Sequence, residues 1–547
     1  MKRTTITLLL LLFLISVQAH ESNQSYKFRL YLNEKGNSEY NINEPERFLS
    51  SQSIERKRRQ NVSIDERDLP ISNDYFNLIA VAGGKVISHS KWFSTMVIQL
   101  NDSSQIDSFT NLSFVDSAKY IWRGTDRLNK QLARPRLQSV PPIEIVNIDS
   151  INGETEAQFE LHNAKNIYKA GYSGNGINIG VIDAGFTNVD VIPYFASSNI
   201  VTYKSFVPSG EVLMDSDHGT RVFSTISAFV PGQMMGSAPN ANFYLLHSED
   251  VSSEFPVEED YWVRAVEFAD SVGVDVINSS LGYNSFDDNN LNYTHDVLDG
   301  RSSIMSLAAD MAFDKGMIVV TSAGNEGNKS WQKISVPGDA AKALTVGAVS
   351  SSGDIASFSS RGYTADSRLK PDVVSVGQGT ITIGMNGKIG KANGTSFSSP
   401  FMAGLVSSLW SINPDLDRSE LLNIIRESSN RFHNPDSVYG NGVADIDLAM
   451  SKVLSSIPVF EDRYEDDTYK VLKVDDEYID IQIKDDKYRN GEYSFNIIDE
   501  SGSVILKQDA NSERTNIHLG EGLKGDNSSI FVLLKSPNIN KTVRIKI

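Results

Sequence analysis

The chain has 547 residues, enough for more than one domain, and its 40% hydrophobic and 22% charged residues are those of a globular protein, neither fibrous nor disordered. Sixty-nine acidic residues against 51 basic ones leave a net charge of −18, which repels phosphate backbones and argues against a nucleic-acid reader. Cysteine is absent, which excludes disulfides, thiol nucleophiles and Cys-ligated zinc or iron–sulfur centres, so covalent chemistry falls to Ser, Thr, Lys, His, Tyr or a carboxylate.

Lys2 and Arg3 precede an apolar run at 6–17, and Val17-Gln18-Ala19 offers a small-x-small cut. A run that short does not span about 30 Å of hydrocarbon, so residues 1–19 predict an export leader removed after Ala19. No later stretch approaches roughly 18 apolar residues, which predicts no transmembrane helix and a secreted, extracellular or cell-surface protein. Residues 20–144 follow, mixing short apolar runs (26–32, 77–82, 94–100) with polar turns. Here 17 basic and 15 acidic residues nearly balance; with Lys2 and Arg3 set aside, the rest of the chain carries 32 minus 54, or −22. The basic cluster Arg56-Lys57-Arg58-Arg59, at helix spacing beside Phe48, Leu49 and Ile54, is read as a solvated face in preference to a processing site. Arg134-Pro135-Arg136 through Pro141-Pro142 reads as an exposed linker, because consecutive prolines forbid helix and ladder pairing.

From 150 to 455 the pattern changes. Near-continuous Val/Ile runs at 177–182, 242–246, 274–277, 317–321, 343–349 and 372–376 predict strands. Helical periodicity at 219–229, 258–272, 302–315, 397–411 and 418–427 alternates with them. Strands buried on both faces and separated by helices predict an α/β fold: a doubly wound, mainly parallel sheet covered by helices. Chemistry in such a sheet collects at the carboxyl edge of the strands. The last stretch, 457–547, is strand-only in pattern (493–498, 504–506, 517–519, 530–534, 543–547), which predicts a small antiparallel sandwich; the acidic stretch 459–486 either begins it or links to it.

Four loops of the central region carry reactive groups. Gly180-Val181-Ile182-Asp183 delivers a carboxylate at a strand end. Asp217-His218-Gly219 places an imidazole at a helix mouth. Ser322-Ala323-Gly324-Asn325 follows a strand, and Gly394-Thr395-Ser396-Phe397-Ser398-Ser399-Pro400 opens a helix whose first turn tolerates proline. Singly each is weak, since an Asp after a strand is commonly a cap and a lone His is commonly structural. Together they supply what acyl transfer needs. A serine hydroxyl is a poor nucleophile until a base takes its proton, and the base needs a partner that sets its tautomer. The carbonyl oxygen that becomes anionic needs preorganised donors, which an Asn amide and a helix-opening N–H provide.

At these residues the sequence resembles the subtilisin-like serine proteases, over roughly 160–450. Gly236-Ser237-Ala238-Pro239, Val276-Ile277-Asn278-Ser279-Ser280-Leu281-Gly282, Ser359-Ser360-Arg361-Gly362 and Lys370-Pro371-Asp372-Val373 extend the likeness. The resemblance implies that Asp183 orients His218, His218 is general base, Ser396 is nucleophile and Asn325 donates to the oxyanion. It implies that Ser280, Leu281 and Gly282 pair with substrate backbone and wall the first specificity pocket, with Ser322, Ala323 and Gly324 as the opposite wall. Three departures stand out: Ala184 where the family usually has Ser or Thr, Phe397-Ser398 for Met-Ala, and Ser375-Val376-Gly377 for Ala-Pro-Gly.

The outer segments fit the same resemblance. Residues 20–144 stand where the family keeps a pro-segment that assists folding and covers the cleft as an intramolecular inhibitor. The C-terminal region, through 493–502 and the closing 542–547, resembles the sorting modules of type IX secretion, although their Pro-Asn-Pro opening is missing; a plain appended β-domain is the alternative. The expected substrates are proteins or peptides. No cofactor is required; calcium staples loops in this family, but no Asp-x-Asp-x-Asp-Gly ladder assigns ligands, so no metal residues are named. An α/β-hydrolase esterase is disfavoured because Ser398 replaces the second Gly of Gly-x-Ser-x-Gly and the His precedes the Ser. The other alternative is a catalytically weak or inactive subtilase-like surface binding protein.

Overall fold

The computed structural model describes residues 24–125, 153–475, 478–484, 493–510, 514–519, 529–536 and 539–547. The leader expected at 1–19 and the linker expected around Pro141-Pro142 lie outside the described residues. The first body contains β1 (Gln24–Leu32), α1 (Ser51–Arg59), α2 (Asn73–Val81), β2 (Lys85–Ser90), β3 (Thr95–Leu100), α3 (Ile106–Thr110) and β4 (Val115–Thr125). Its antiparallel sheet has the order β2-β3-β1-β4. Side chains alternate along a strand. One face therefore buries Phe28, Leu30, Met96 and Ile98 against Ile79 and Phe109 of its own helices. The other lays Val97, Ile121 and Trp122 on Phe255, Val257 and Tyr261 of the central domain.

The central domain runs α4 (Glu156–Leu161), α5 (Lys165–Ala170), β5 (Asn178–Asp183), β6 (Asn199–Ser205), α6 (His218–Ser227), β7 (Asn242–His247), α7 (Val257–Val272), β8 (Val276–Ser279), α8 (Ile304–Asp314), β9 (Ile318–Ser322), β10 (Leu344–Val349), β11 (Val373–Val376), β12 (Gln378–Ile383), β13 (Ile389–Asn393), α9 (Thr395–Trp410), α10 (Arg418–Glu427) and α11 (Ile446–Ser455). Seven parallel strands form one sheet in the order β11-β10-β9-β8-β5-β7-β6. Ile179, Val181, Val276 and Val320 face α6 and α9. Ile182, Ile277 and Val319 face α7 and α8. Chain order reverses at β5, so β5 and its neighbours open the crevice outside their carboxyl ends. The edge strand β6, exposed on alternate residues, and the hairpin β12–β13 have no sequence counterpart above.

The basic cluster is not a solvated face. Arg56 and Lys57 are buried where α1 meets α7. Arg56 pairs with Asp270 and also donates to the carbonyl of Val274. Lys57 Nζ lies 2.8 Å from Asp270 and 3.4 Å from Asp68, and Arg59 lies 2.9 Å from Asp275. Arg58, paired with Glu55, keeps the expected exposure. Helix spacing could not reveal this, because Asp270 lies 214 residues from Arg56 in sequence. The same seam holds Arg29 in a two-pronged pair with Asp260, both contacts 2.7 Å, and Lys315 2.8 Å from both Asp65 and Asp68. Glu267 accepts from Ser90 Oγ and from the backbone N–H groups of Lys91 and Trp92, at 3.1 and 2.9 Å.

At the C-terminus a five-stranded sheet (Val459–Phe460, Ile539–Lys546, Ser529–Ser536, Tyr493–Ile498, Val504–Ala510) and a four-stranded sheet (Arg463–Glu465, Tyr469–Lys473, Tyr478–Ile483, Arg514–His518) enclose their own core. The stretch from 459 thus begins this sandwich. One pair, Val459–Phe460 with Ile539–Lys546, is parallel where antiparallel pairing was expected. Ile498, Phe531 and Leu533 point away from that core and join the apolar cluster of the central domain, and Asn496 Nδ2 donates to Ala170 O at 2.7 Å.

Candidate active site

Asp183 is the last residue of β5 and is fully buried. His218 is the first residue of α6. The loops carrying them approach closely at two glycines: Gly219 N donates to Gly185 O at 3.0 Å, and a Cβ on Gly219 would stand 2.4 Å from that oxygen. The approach lets His218 Nδ1 donate to Asp183 Oδ1 at 2.7 Å. With Nδ1 so engaged, a neutral imidazole presents Nε2 as its basic nitrogen. Burial opposes a charge on His218, but the Asp183 carboxylate outweighs it, with Glu249 and Asp217 adding at longer range, and the imidazole is raised to about 9. Asp183 Oδ1 also accepts from Ala184 N at 2.8 Å, whereas the buried Oδ2 has no hydrogen-bond partner among the described residues. Alanine at 184 brings no hydroxyl to that oxygen.

Ser396 lies in the first turn of α9. The helix begins at Thr395, two residues earlier than its periodicity suggested, after Gly394 with φ of +151°, a conformation that favours glycine. Pro400 is consequently the sixth helical residue and lies beyond the tolerant first turn. It removes the N–H that would bond the carbonyl of Ser396, and Ser280 Oγ fills the gap, donating to that carbonyl at 2.9 Å. In return Ser396 Oγ donates to Ser280 O at 3.3 Å. The ring of Phe397, the next residue after Ser396, stands 6.0 Å from the His218 ring.

Asn325 follows β9. Its Oδ1 accepts from Thr395 N at 2.9 Å and Thr395 Oγ1 at 3.0 Å, and Thr395 Oγ1 itself accepts from Gly324 N at 3.2 Å. This relay leaves Nδ2 without a hydrogen-bond partner among the described residues, 3.7 Å from where a Cβ on Gly394 would stand. Asn325 does not cap the turn before Gly327, whose N–H goes to Phe358 O. Thr395 is the residue that sequence reasoning passed over; its place between the glycine and the serine was the only signal. The other departures are absorbed locally: Ser375 Oγ meets His162 Nε2 at 2.8 Å, and Ser398 Oγ donates to Thr395 O at 3.0 Å.

Leu281 and Gly282 have no backbone hydrogen-bond partner among the described residues, while Tyr283 is pinned to Val336 by two backbone bonds. Opposite, Ser322 ends β9, Ala323 N donates to Val346 O, and Gly324 follows. Ser335 lies against both walls: a Cβ on Gly282 would be 3.0 Å from its Cβ, and one on Gly324 would be 2.8 Å from its Oγ. The segments 280–282 and 322–324 therefore both approach Ser335. No group of three or more His, Asp or Glu placed to hold a metal ion occurs among the described residues.

Residues 174–442 match the model of the subtilase family. Subtilisin DY from Bacillus licheniformis is 30% identical over 297 residues, covering 53% of this chain and 96% of that protein. The chain belongs to the subtilase family. It is a serine endopeptidase, a hydrolase of the α/β class described above. Residues 27–137 match the Peptidase S8 propeptide domain of Bacteroidota, which gives the body built on β1–β4 its meaning as a propeptide. Subtilisin E from Bacillus subtilis is 26% identical over 388 residues (69% of this chain, 94% of that protein), and the serine protease AprX of the same organism is 28% identical over 320 residues (52% and 69%). No helix among the described residues of this subtilase is long and apolar enough to cross a membrane.

Proposed function

We propose that this subtilase cleaves peptide bonds through an acyl-enzyme on Ser396. His218 Nε2 takes the proton from Ser396 Oγ as that oxygen attacks the scissile carbonyl, then returns it to the leaving amine. Water repeats the sequence to release the acid. Asp183 holds the imidazole in the required tautomer and steadies its positive charge. Asn325 Nδ2 and the N–H of Ser396 bind the oxyanion. The observation that carries this reading is the 2.7 Å Asp183–His218 bond beside an Asn325 amide whose oxygen is already committed to Thr395. In the resting state Ser396 Oγ leans on Ser280 O, and it turns to His218 when substrate enters, as loose resting geometry commonly tightens in the complex. Substrate backbone pairs with Leu281 and Gly282, and the side chain before the scissile bond enters between 280–282 and 322–324, toward Ser335.

The chain is exported behind its leader as a zymogen, and the C-terminal sandwich serves as its type IX sorting module. The intact set of Asp183, His218, Asn325 and Ser396 disfavours an inactive binding protein. Ser396→Ala should abolish nearly all peptidase activity, on the order of 10⁶ in kcat, and should abolish labelling by a fluorophosphonate probe. A folded Ser396→Ala protein with full activity would end the reading.

A further inference from the structure

Glu249 occupies a place that the catalytic set leaves unexplained. β7 runs parallel to β5 with His247 opposite Asp183, so residue 249 stands two positions past the strand end, over the edge where Asp183 meets His218. Its backbone is held there. Ser248 N donates to Asp183 O at 3.1 Å, and His247 Nε2 bonds Glu249 O at 2.9 Å. The side chain is half-buried, yet its carboxylate makes no hydrogen bond or ion pair with any described residue. The neighbouring Glu258, by contrast, accepts from Tyr283 OH, Phe255 N and Asp250 N. Glu249 bears on the His218 imidazole more strongly than Asp217, which immediately precedes that histidine. Burial first, then Asp183, Glu254 and Asp250, raise Glu249 to about 7, with His218 opposing them. A carboxylate half withdrawn from water without a hydrogen bond or ion pair is costly, and a ligand that brings a cation into contact with it relieves the cost.

The sheet order says which part of a substrate would bring it. β8, which leads into 280–282, has β9 on one side and β5 then β7 on the other. A peptide extended along 280–282 alternates its side chains between those two sides. The residue before the scissile bond takes the β9 side, toward Ser335. The second residue before the bond takes the other side, toward His218 and Glu249.

We propose that Glu249 is a specificity-determining residue whose carboxylate recognises a lysine or arginine side chain at the second position before the scissile bond. This rests on the reading that Ser396 is the nucleophile and that 280–282 carries the substrate strand. The test uses the processed enzyme and three fluorogenic peptides that differ only at that position: lysine, its uncharged isostere norleucine, and glutamate. Active sites are counted by fluorophosphonate labelling, so misfolded protein does not enter the rates. Wild-type kcat/KM should favour lysine over norleucine by about tenfold, the scale of one partly shielded charge pair, with glutamate poorest. Glu249→Gln should bring the lysine-to-norleucine ratio to near one, and Glu249→Lys should make glutamate the preferred residue. A wild-type ratio near one, or a ratio that both variants leave unaltered, overturns the proposal. Hydrolysis of the norleucine peptide that survives Ser396→Ala would instead overturn the underlying mechanism, so the two failures are told apart.

Discussion

Replacing Arg56 by methionine should remove much of the propeptide's hold on the peptidase domain. The guanidinium is buried and meets Asp270 together with the carbonyls of Val274, Asp270 and Lys315. Methionine fills most of the stem's volume, so the loss is electrostatic and not a cavity. Breaking a buried pair by deleting one partner costs about 3–5 kcal/mol, because the other charge stays buried. Asp270 keeps Lys57 at 2.8 Å, which places the expected loss at the lower end, about 3 kcal/mol. At 1.36 kcal/mol per decade that is roughly a 150-fold weaker inhibition constant for the propeptide added in trans to processed enzyme. Arg58→Met is the matched control. Its partner is Glu55, both side chains are largely exposed, at 70% and 51%, and such a pair contributes under about 1 kcal/mol. Inhibition constants for wild-type and Arg56→Met propeptide, each against wild-type and Asp270→Asn enzyme, complete a double-mutant cycle. The reasoning fails if Arg56→Met shifts inhibition by no more than Arg58→Met does.

Asn325→Leu should lower kcat about 10²–10³-fold with little change in KM, because the oxyanion donor acts on the transition state alone. Leucine also strands Thr395 N, so the melting temperature should fall as well; Asn325→Asp keeps that acceptor, and an unimpaired kcat in it would refute the donor role. Activity should rise with pH well above the 6–8 range that an ordinary histidine suggests. Only neutral His218 accepts the serine proton, and an imidazole raised to about 9 is still largely protonated at pH 7, so a kcat/KM profile already flat by pH 7 would contradict the Asp183–His218 coupling. The same shift stabilises the fold fully below an unfolded value of about 6.5, and that contribution is lost as pH rises through about 9. Melting temperatures of wild type and His218→Ala across that window check the sign.

The placement of Asp183 at a strand end, of Asn325 just past another, and of His218 and Ser396 at helix mouths was legible in the sequence. In a parallel sheet the strands are buried on both faces and read as continuous apolar runs, and the carboxyl edge is where each run stops. The same logic located six of the seven central strands and missed β6, whose exposed edge alternates instead of running apolar. What lay beyond reach were contacts between residues remote in sequence. A row of Arg and Lys at helix spacing describes a solvated face and a buried one equally well until Asp270 and Asp68 arrive to neutralise it. Pro400 announces a missing hydrogen bond, but only folding brings Ser280 Oγ to the orphaned carbonyl of Ser396. Glu249 follows a strand as many acidic residues do; its bearing on His218 exists because β7 pairs with β5 in one register. Local patterns determine which segments become strands and which loops carry reactive groups, since both follow from the chain's own period and turn chemistry. Charge partners, orphaned polar groups and proton affinities depend on low-dielectric neighbours at a few ångströms, and those neighbours are chosen by the tertiary structure alone.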